Sequence, residues 1–123
     1  MMTEGESLIW MERKVTKVTD ELVYYLLRAG ADDLNVQLKK KEDCYQIIID
    51  GNYNPERQKA INSLEEMLLK TCRNRGMEEQ YWELIGMNGN SYDPQLQLVG
   101  MLIDRAKVQL GERTIHIELE RLF

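Results

Sequence analysis

Few residues of this 123-residue chain have the types and spacing that catalysis requires. The single histidine is His116, and the two cysteines, Cys44 and Cys72, are far apart in the sequence. One histidine excludes a His-rich metal site and restricts general acid–base chemistry. A Cys44–His116 nucleophile pair is geometrically conceivable, but no neighbouring residue indicates an activated thiol. Because the sequence has no zinc-binding, nucleophile-elbow or phosphate-loop motif, we predict no catalytic residues and no metal site.

Asp50 is the acidic residue best placed for a ligand contact. It ends an apolar segment, residues 47–49, and opens a segment rich in Gly, Asn and Pro, residues 50–55. Ligand contacts are common where a strand meets a loop. The more frequent role of such an aspartate is to bond to the backbone of its own turn, and the sequence leaves both roles open.

Alternating apolar and polar residues predict the strands that position Asp50 and His116. Residues 34–50 form an antiparallel hairpin with a charged turn at 40–43, and its second strand stops at Asp50. Ile48 makes this second strand apolar on both sides, which favours a central position. A further strand covers residues 113–121. The side chains predicted to face inward are Leu34, Val36, Leu38, Tyr45, Ile47, Ile49, Ile115, Ile117 and Leu119.

Apolar spacings of three and four residues predict the helices. The first covers residues 7–29 and ends at Gly30, although its β-branched residues leave a strand over 7–15 as the alternative. Its apolar stripe serves the core, a partner helix or a dimer. Asn54 and Pro55 have the types of an N-cap and a first helical residue, so a second helix follows them.

The region after the second helix is predicted to contain two more helices. The second helix ends at Gly76, and a shorter one covers residues 78–85, where Trp82 is a candidate partner anchor. Residues 86–92 form a loop. A last helix then begins at Asp93-Pro94 and runs to Gly111.

Composition limits the classes of protein to which the chain can belong. A formal net charge of −5, with 43% hydrophobic and 30% charged residues, is typical of a soluble protein that does not bind nucleic acid. Residues 98–103 are too short an apolar run to span a membrane. The first residues lack the features of a signal peptide, and two distant cysteines favour reduced thiols. We therefore predict a single cytoplasmic domain over residues 1–123.

The order of elements predicts an α+β fold. A small, mostly antiparallel sheet, made of the hairpin 34–50 and the strand 113–121, is covered by helices in a two-layer α/β sandwich. Polar residues at alternate strand positions predict that the other face of the sheet contacts water or a partner.

This order resembles the ATP-binding domain of the GHKL superfamily, which includes histidine kinases and anti-sigma factor kinases. Residues 21–29 resemble its asparagine-box helix, and residues 47–55 resemble its hairpin end with the Asp-x-Gly-x-Gly turn. Residues 96–103 and 111–118 resemble the helix after the lid and the last strand. The resemblance implies a histidine-kinase-like fold in which Asp50 reads adenine, while Asn52 and Asn54 replace the two later glycines of the turn.

Departures from the family pattern fall on the residues that perform its chemistry. Arg28 stands at the magnesium-binding asparagine, Tyr24 stands at the upstream acidic or amide position, and residues 88–90 are all that remains of the lid's phosphate cradle. The resemblance therefore implies a degenerate member: a non-catalytic regulatory or protein-interaction module without a cofactor, acting through a protein partner or a homodimer. The alternative is an ATP-binding domain that uses magnesium, with Asp50, Asn52 and Asn54 as cofactor-binding residues.

Overall fold

The structure, a computed structural model, describes residues 4–73 and 99–123, and side chains for residues 9–70 and 99–123. In chain order the elements are α1 (Glu4–Arg28), β1 (Leu34–Lys40), β2 (Cys44–Asn52), α2 (Gln58–Arg73), β3 (Arg105–Leu110) and β4 (Thr114–Leu122). A 3-10 turn, Pro55–Arg57, leads into α2, and residues 99–101 are helical. The predictions for Gly76, residues 78–85 and residues 86–92 lie outside the described residues.

Helix α1 confirms the prediction of one helix over residues 7–29 and rules out a strand over 7–15. It is amphipathic, so one side faces the sheet and the opposite side faces water. The buried residues recur at intervals of three and four: Met11, Val15, Val18, Leu22, Leu26 and Ala29.

Gly30 ends α1, as predicted. Its φ of 91° is a left-handed conformation that residues with a Cβ rarely adopt. The Gly30 N–H donates to the Leu27 carbonyl, and the Ala31 N–H donates to the Leu26 carbonyl, both at 3.0 Å. These two bonds make a Schellman motif, which satisfies carbonyls that the helix end would otherwise leave unpaired.

Asn54 begins the second helical segment, as predicted. Its side-chain oxygen accepts a hydrogen bond from the Glu56 N–H at 3.0 Å, and Pro55 occupies the first turn. The Asn54 N–H donates to the Ala29 carbonyl at 3.0 Å, which ties the start of this segment to the end of α1. The side chains that α2 buries completely are Ile61, Leu64, Met67 and Leu68.

The four strands form one antiparallel sheet in the order β1-β2-β4-β3. The central position predicted for β2 from Ile48 is confirmed. Inward side chains of the two central strands meet α1 and α2 in one core, and the innermost are Ile47, Ile49, Ile115, Ile117 and Leu119. The chain is therefore an α+β protein, and its helices and sheet form a two-layer α/β sandwich.

The prediction of a helix from residue 93 to Gly111 is wrong over its last third. Residues 105–110 form strand β3, which pairs with β4. The helical spacing ends near Ile103, and beyond it Ala106, Val108 and Leu110 alternate with polar residues in a period of two. The helix prediction followed Ala106 and Leu110 and overlooked Val108 between them.

The prediction of a buried face on β1 is wrong for Val36 and Leu38, although Leu34 packs against the core as predicted. Val36 is 38% exposed and Leu38 is 48% exposed. They share the helix-facing side with Ile49 and Ile47, their cross-strand partners, but β1 lies at the edge of the sheet, where the described helices do not cover it. Alternation predicted which residues share a side, whereas burial depended on strand order.

Candidate functional site

The sheet face opposite the helices is polar and brings the predicted site residues of β2 and β4 together. We call it the polar sheet face. Register places one residue of each strand side by side, so that Asn35, Asp50, His116 and Gln109 form one row. The other members are Gln37, Lys39, Gln46, Ile48, Arg105, Lys107, Glu118 and Glu120.

His116 lies between two carboxylates on this face. Its Nδ1 is 2.5 Å from Asp50 Oδ1, and its Nε2 is 3.5 Å from Glu118 Oε2. Both ring nitrogens can donate to a carboxylate only in the imidazolium form. The hydrogen bond to Asp50 raises the pKa of His116, and partial burial opposes this effect, while Glu118 adds to it. Asp50 and His116 are far apart in sequence, so only the β2–β4 register could have revealed this contact.

Two further contacts between acidic and basic side chains join β4 to β3. Arg105 pairs with Glu120 at 3.3 Å, and Lys107 pairs with Glu118 at 3.9 Å. The two basic side chains are 65% and 63% exposed, so each pair contributes little to stability. Because acidic and basic groups alternate over the polar sheet face, it does not offer the single-sign charge that concentrates an ionic ligand.

Asn52 has a structural role in the described residues. Its side-chain oxygen accepts hydrogen bonds from the Asp32 N–H at 2.9 Å and from the Asp33 N–H at 3.2 Å. Its amide group donates to the Asp32 carboxylate at 2.5 Å. Asn52 therefore holds the connection between α1 and β1, just as Asn54 caps the segment before α2.

The segment after Asp50 is strand and not turn. β2 continues through Asn52, so the prediction that this strand stops at Asp50 is wrong. No residue other than glycine has positive φ in residues 4–73 and 99–123. A Cβ on Gly51 would collide with the Leu34 side chain. The tight packing of Gly51 against Leu34 leaves no space for a ligand at that point.

Cys44 and His116 do not form a catalytic pair. Cys44 lies opposite Leu122 in the register, whereas His116 lies opposite Asp50. Asp50 is six residue steps along β2 from Cys44, which is a distance of about 20 Å. Burial raises the pKa of the Cys44 thiol, and a hydrogen bond to Asp43 adds to the increase. Cys44 is therefore an unreactive thiol. The Cys72 side chain lies outside the described residues.

The remaining positions of the family resemblance do not meet Asp50. Tyr24 and Arg28 lie on the exposed side of α1, in the helical layer, whereas Asp50 lies on the polar sheet face. Residues 88–90, the counterpart of the lid, and Trp82 lie outside the described residues. The described part of the chain therefore does not bring the proposed metal position and the proposed adenine contact together.

Large exposed apolar side chains are concentrated on α1 and β1. Ile9, Trp10, Tyr24, Leu27, Val36 and Leu38, here called the apolar surface, are between 38% and 60% exposed. The seventh such side chain in the described residues, Phe123, packs edge-on against Tyr45. Sequence reasoning assigned the members on β1 to the core, so it missed this part of the apolar surface.

Residues 4–73 and 99–123 contain no group of three His, Cys, Asp or Glu side chains placed to hold a metal ion. Within the same residues, neither helix has the length and apolar character needed to cross a bilayer. Comparison of the chain with protein-family models, with curated proteins and with solved structures found no match.

Proposed function

We propose that this chain is a cytoplasmic, non-catalytic regulatory or protein-interaction module with a degenerate kinase-type ATPase fold. The observation that carries the proposal is the apolar surface, since six of the seven large exposed apolar side chains in the described residues lie on α1 and β1. Large apolar side chains left exposed on two elements are candidates for contact with a protein partner. Trp10 and Tyr24 are of the residue types that contribute most binding energy at interfaces.

The contacts of the three candidate nucleotide residues support a module without a cofactor. Asp50 bonds to His116, Asn52 bonds to the backbone of Asp32 and Asp33, and Asn54 caps a helical segment. Each side chain therefore already has partners within the protein. At Asp50, a nucleotide would have to share the carboxylate with His116, which already occupies Oδ1.

Site-specific photo-cross-linking tests the interaction function. A photoreactive benzoylphenylalanine replaces Tyr24 on the apolar surface, and a matched variant carries it at Gln109, an exposed position on β3. In extracts of cells that make the protein, we expect discrete adducts with another polypeptide from position 24 and none from position 109. The same adducts from both positions would contradict the proposal, as would no adduct from either.

The alternative function, ATP binding with magnesium, is favoured by one observation. The Asp50 side chain is 59% exposed, and its carboxylate has acceptor positions beyond the one that His116 uses. Thermal unfolding with millimolar ATP, ADP and Mg²⁺ separates the two functions. A ligand at about a hundred times its Kd stabilises a protein by about 2.7 kcal/mol. An unchanged midpoint supports the interaction module, whereas a rise that Asp50→Ala abolishes supports nucleotide binding.

A further inference from the structure

Strand β1 has one edge without a strand partner among residues 4–73 and 99–123. It pairs with β2 on its other side over its whole length, Leu34–Lys40. An unpaired edge presents backbone donors and acceptors that another strand can bind. Val36 and Leu38, which belong to the apolar surface, lie on this same strand and remain 38% and 48% exposed.

The hairpin turn determines which backbone groups of β1 point outward. The Lys41 N–H donates to the Cys44 carbonyl at 2.8 Å, so Lys41 and Cys44 are a hydrogen-bonded pair. Bonded and non-bonded pairs alternate along an antiparallel ladder. In the observed register the odd-numbered residues of β1 therefore bond to β2. The even-numbered residues direct their N–H and C=O groups to the free edge: Leu34, Val36, Leu38 and Lys40.

We propose that β1 binds β1 of a second copy of this chain, antiparallel and about a two-fold axis at Gln37. In this register Val36 bonds to Leu38 of the second copy, and Leu34 bonds to its Lys40. Every outward-facing residue then meets an outward-facing residue, and about eight hydrogen bonds form between the copies. The two four-stranded sheets become one continuous sheet, with the helices of both copies on the same side.

Side-chain chemistry favours a second copy as the partner. Val36 and Leu38 of each chain come together on the helix side, where they cover one another. Residues 39–41 are all lysine, and residues 32–33 are both aspartate. The two-fold register brings the basic end of each β1 to the acidic start of the other, so the charges of the two ends are complementary. No lysine of the strand lies opposite the same lysine of the second copy.

The other edge strand, β3, does not offer the same match. Its Gly111 N–H donates to the Thr114 carbonyl, so its even-numbered residues point outward. Two such registers are equally long over Arg105–Leu110, with the axis at Lys107 or at Val108, and each pairs five residues of the strand, against seven for β1. The first register would place Lys107 opposite Lys107 of the second copy. Like charges directly opposite each other destabilise that register. The register at Val108 forms about six hydrogen bonds between the copies, against about eight for β1, so β1 is the better edge for self-pairing.

The inference names the partner and the strand for the interaction function proposed above, and it rests on that function. An edge-to-edge contact is at the small end of specific interfaces, so we expect a weak dimer, with a Kd that is roughly micromolar or weaker. Sedimentation velocity of the purified chain from micromolar to millimolar concentration measures it. The charge complementarity predicts weaker association at high salt.

Two charge variants test the two-fold axis. Gln37→Lys and Gln37→Glu each place like charges on a non-bonded pair whose Cα atoms are about 4.5 Å apart. Each variant alone should associate about two- to fivefold more weakly than the wild type, and an equimolar mixture of the two should recover the association. Gln109→Lys and Gln109→Glu make the same charge changes on β3 and should leave it unchanged.

Cysteine cross-linking tests the same axis independently. Gln37→Cys should form a disulfide-linked dimer on mild oxidation, because that spacing lies within disulfide range. Asn35→Cys is the control, since its copies would be about 14 Å apart in this register. The wild type, which already contains Cys44 and Cys72, sets the background.

A wild-type chain that is monomeric at millimolar concentration would overturn the proposal. So would a dimer that Gln109 variants weaken as much as Gln37 variants do. Adducts to another polypeptide from position 24 would then show that the interaction function stands without the β1 dimer. The absence of both would show that both proposals fail.

Discussion

Gly30→Ala is expected to destabilise the protein strongly, because Gly30 lies where the end of α1 meets the start of the second helical segment. An alanine at the observed φ of 91° costs about 1–2 kcal/mol. Its Cβ would also lie 2.6 Å from the Asn54 Cβ, whereas carbon atoms in contact are about 3.5–4.0 Å apart. Asn54 would therefore have to move.

Asn54 has little freedom to do so. Its N–H bonds to the Ala29 carbonyl at 3.0 Å, and its side chain caps the Glu56 N–H at 3.0 Å. Losing a backbone hydrogen bond or an N-cap costs about 1 kcal/mol. Together with the left-handed backbone, the expected loss in the free energy of unfolding is about 2–4 kcal/mol. The unfolding midpoint should then fall by roughly 8–16 °C.

Urea unfolding followed by circular dichroism measures the loss, and Gly111→Ala is the matched control. Gly111 does not have positive φ, and its added Cβ would meet the Thr114 hydroxyl, which can turn away. We expect Gly111→Ala to change the free energy of unfolding by less than about 1 kcal/mol. Equal losses in the two variants, or a loss below about 1 kcal/mol for Gly30→Ala, would refute the reasoning.

Three further predictions concern the polar sheet face, the α1–β1 connection and the core. The raised pKa of His116 means that its contact with Asp50 stabilises the protein fully below about pH 6.5, and that this contribution is lost as pH rises through the folded-state pKa. In urea unfolding at a series of pH values, Asp50→Asn should therefore be less stable than wild type by at most about 1 kcal/mol at low pH, since Asp50 is 59% exposed; a difference that grows with pH would contradict this. Asn52→Ala should cost about 1–2 kcal/mol and speed hydrogen exchange at the Asp32 amide, and unchanged exchange there would show that the connection is held otherwise. Leu22 is fully buried, so Leu22→Ala should cost about 3 kcal/mol in the same unfolding assay; a loss below 1 kcal/mol would mean that α1 packs loosely.

Much of the architecture follows from local patterns that the sequence displays directly. The stripe of α1, the Asn54-Pro55 start and the alternation of β2 and β4 each reflect a single element, and each prediction was confirmed. β3 was missed because its apolar residues continue the spacing of a preceding helical turn. A helix and a strand can share apolar positions over a short segment, and only pairing with β4 decides between them.

The candidate site was harder to predict, because its features arise between elements. The contact between His116 and Asp50 depends on the register of β2 with β4, and the exposure of Val36 and Leu38 depends on which strand lies at the edge. Neither the contact nor the exposure can be predicted from the local sequence. The resemblance to nucleotide-binding domains named Asp50, Asn52 and Asn54 from their order alone and gave no information about their hydrogen-bond partners.

The position of β2 beside β4 has a consequence for folding kinetics. Each hairpin is local in sequence and can close in about 1–10 μs. The central pairing joins the Cys44–Asn52 strand to the Thr114–Leu122 strand, so it must close a long loop before its contacts stabilise the chain. Pairing of this high contact order is slow. The rate of folding should therefore depend on residues of the central pair such as Ile49 and Ile117, whereas substitutions at the outer edge of β1 should act mainly on the rate of unfolding.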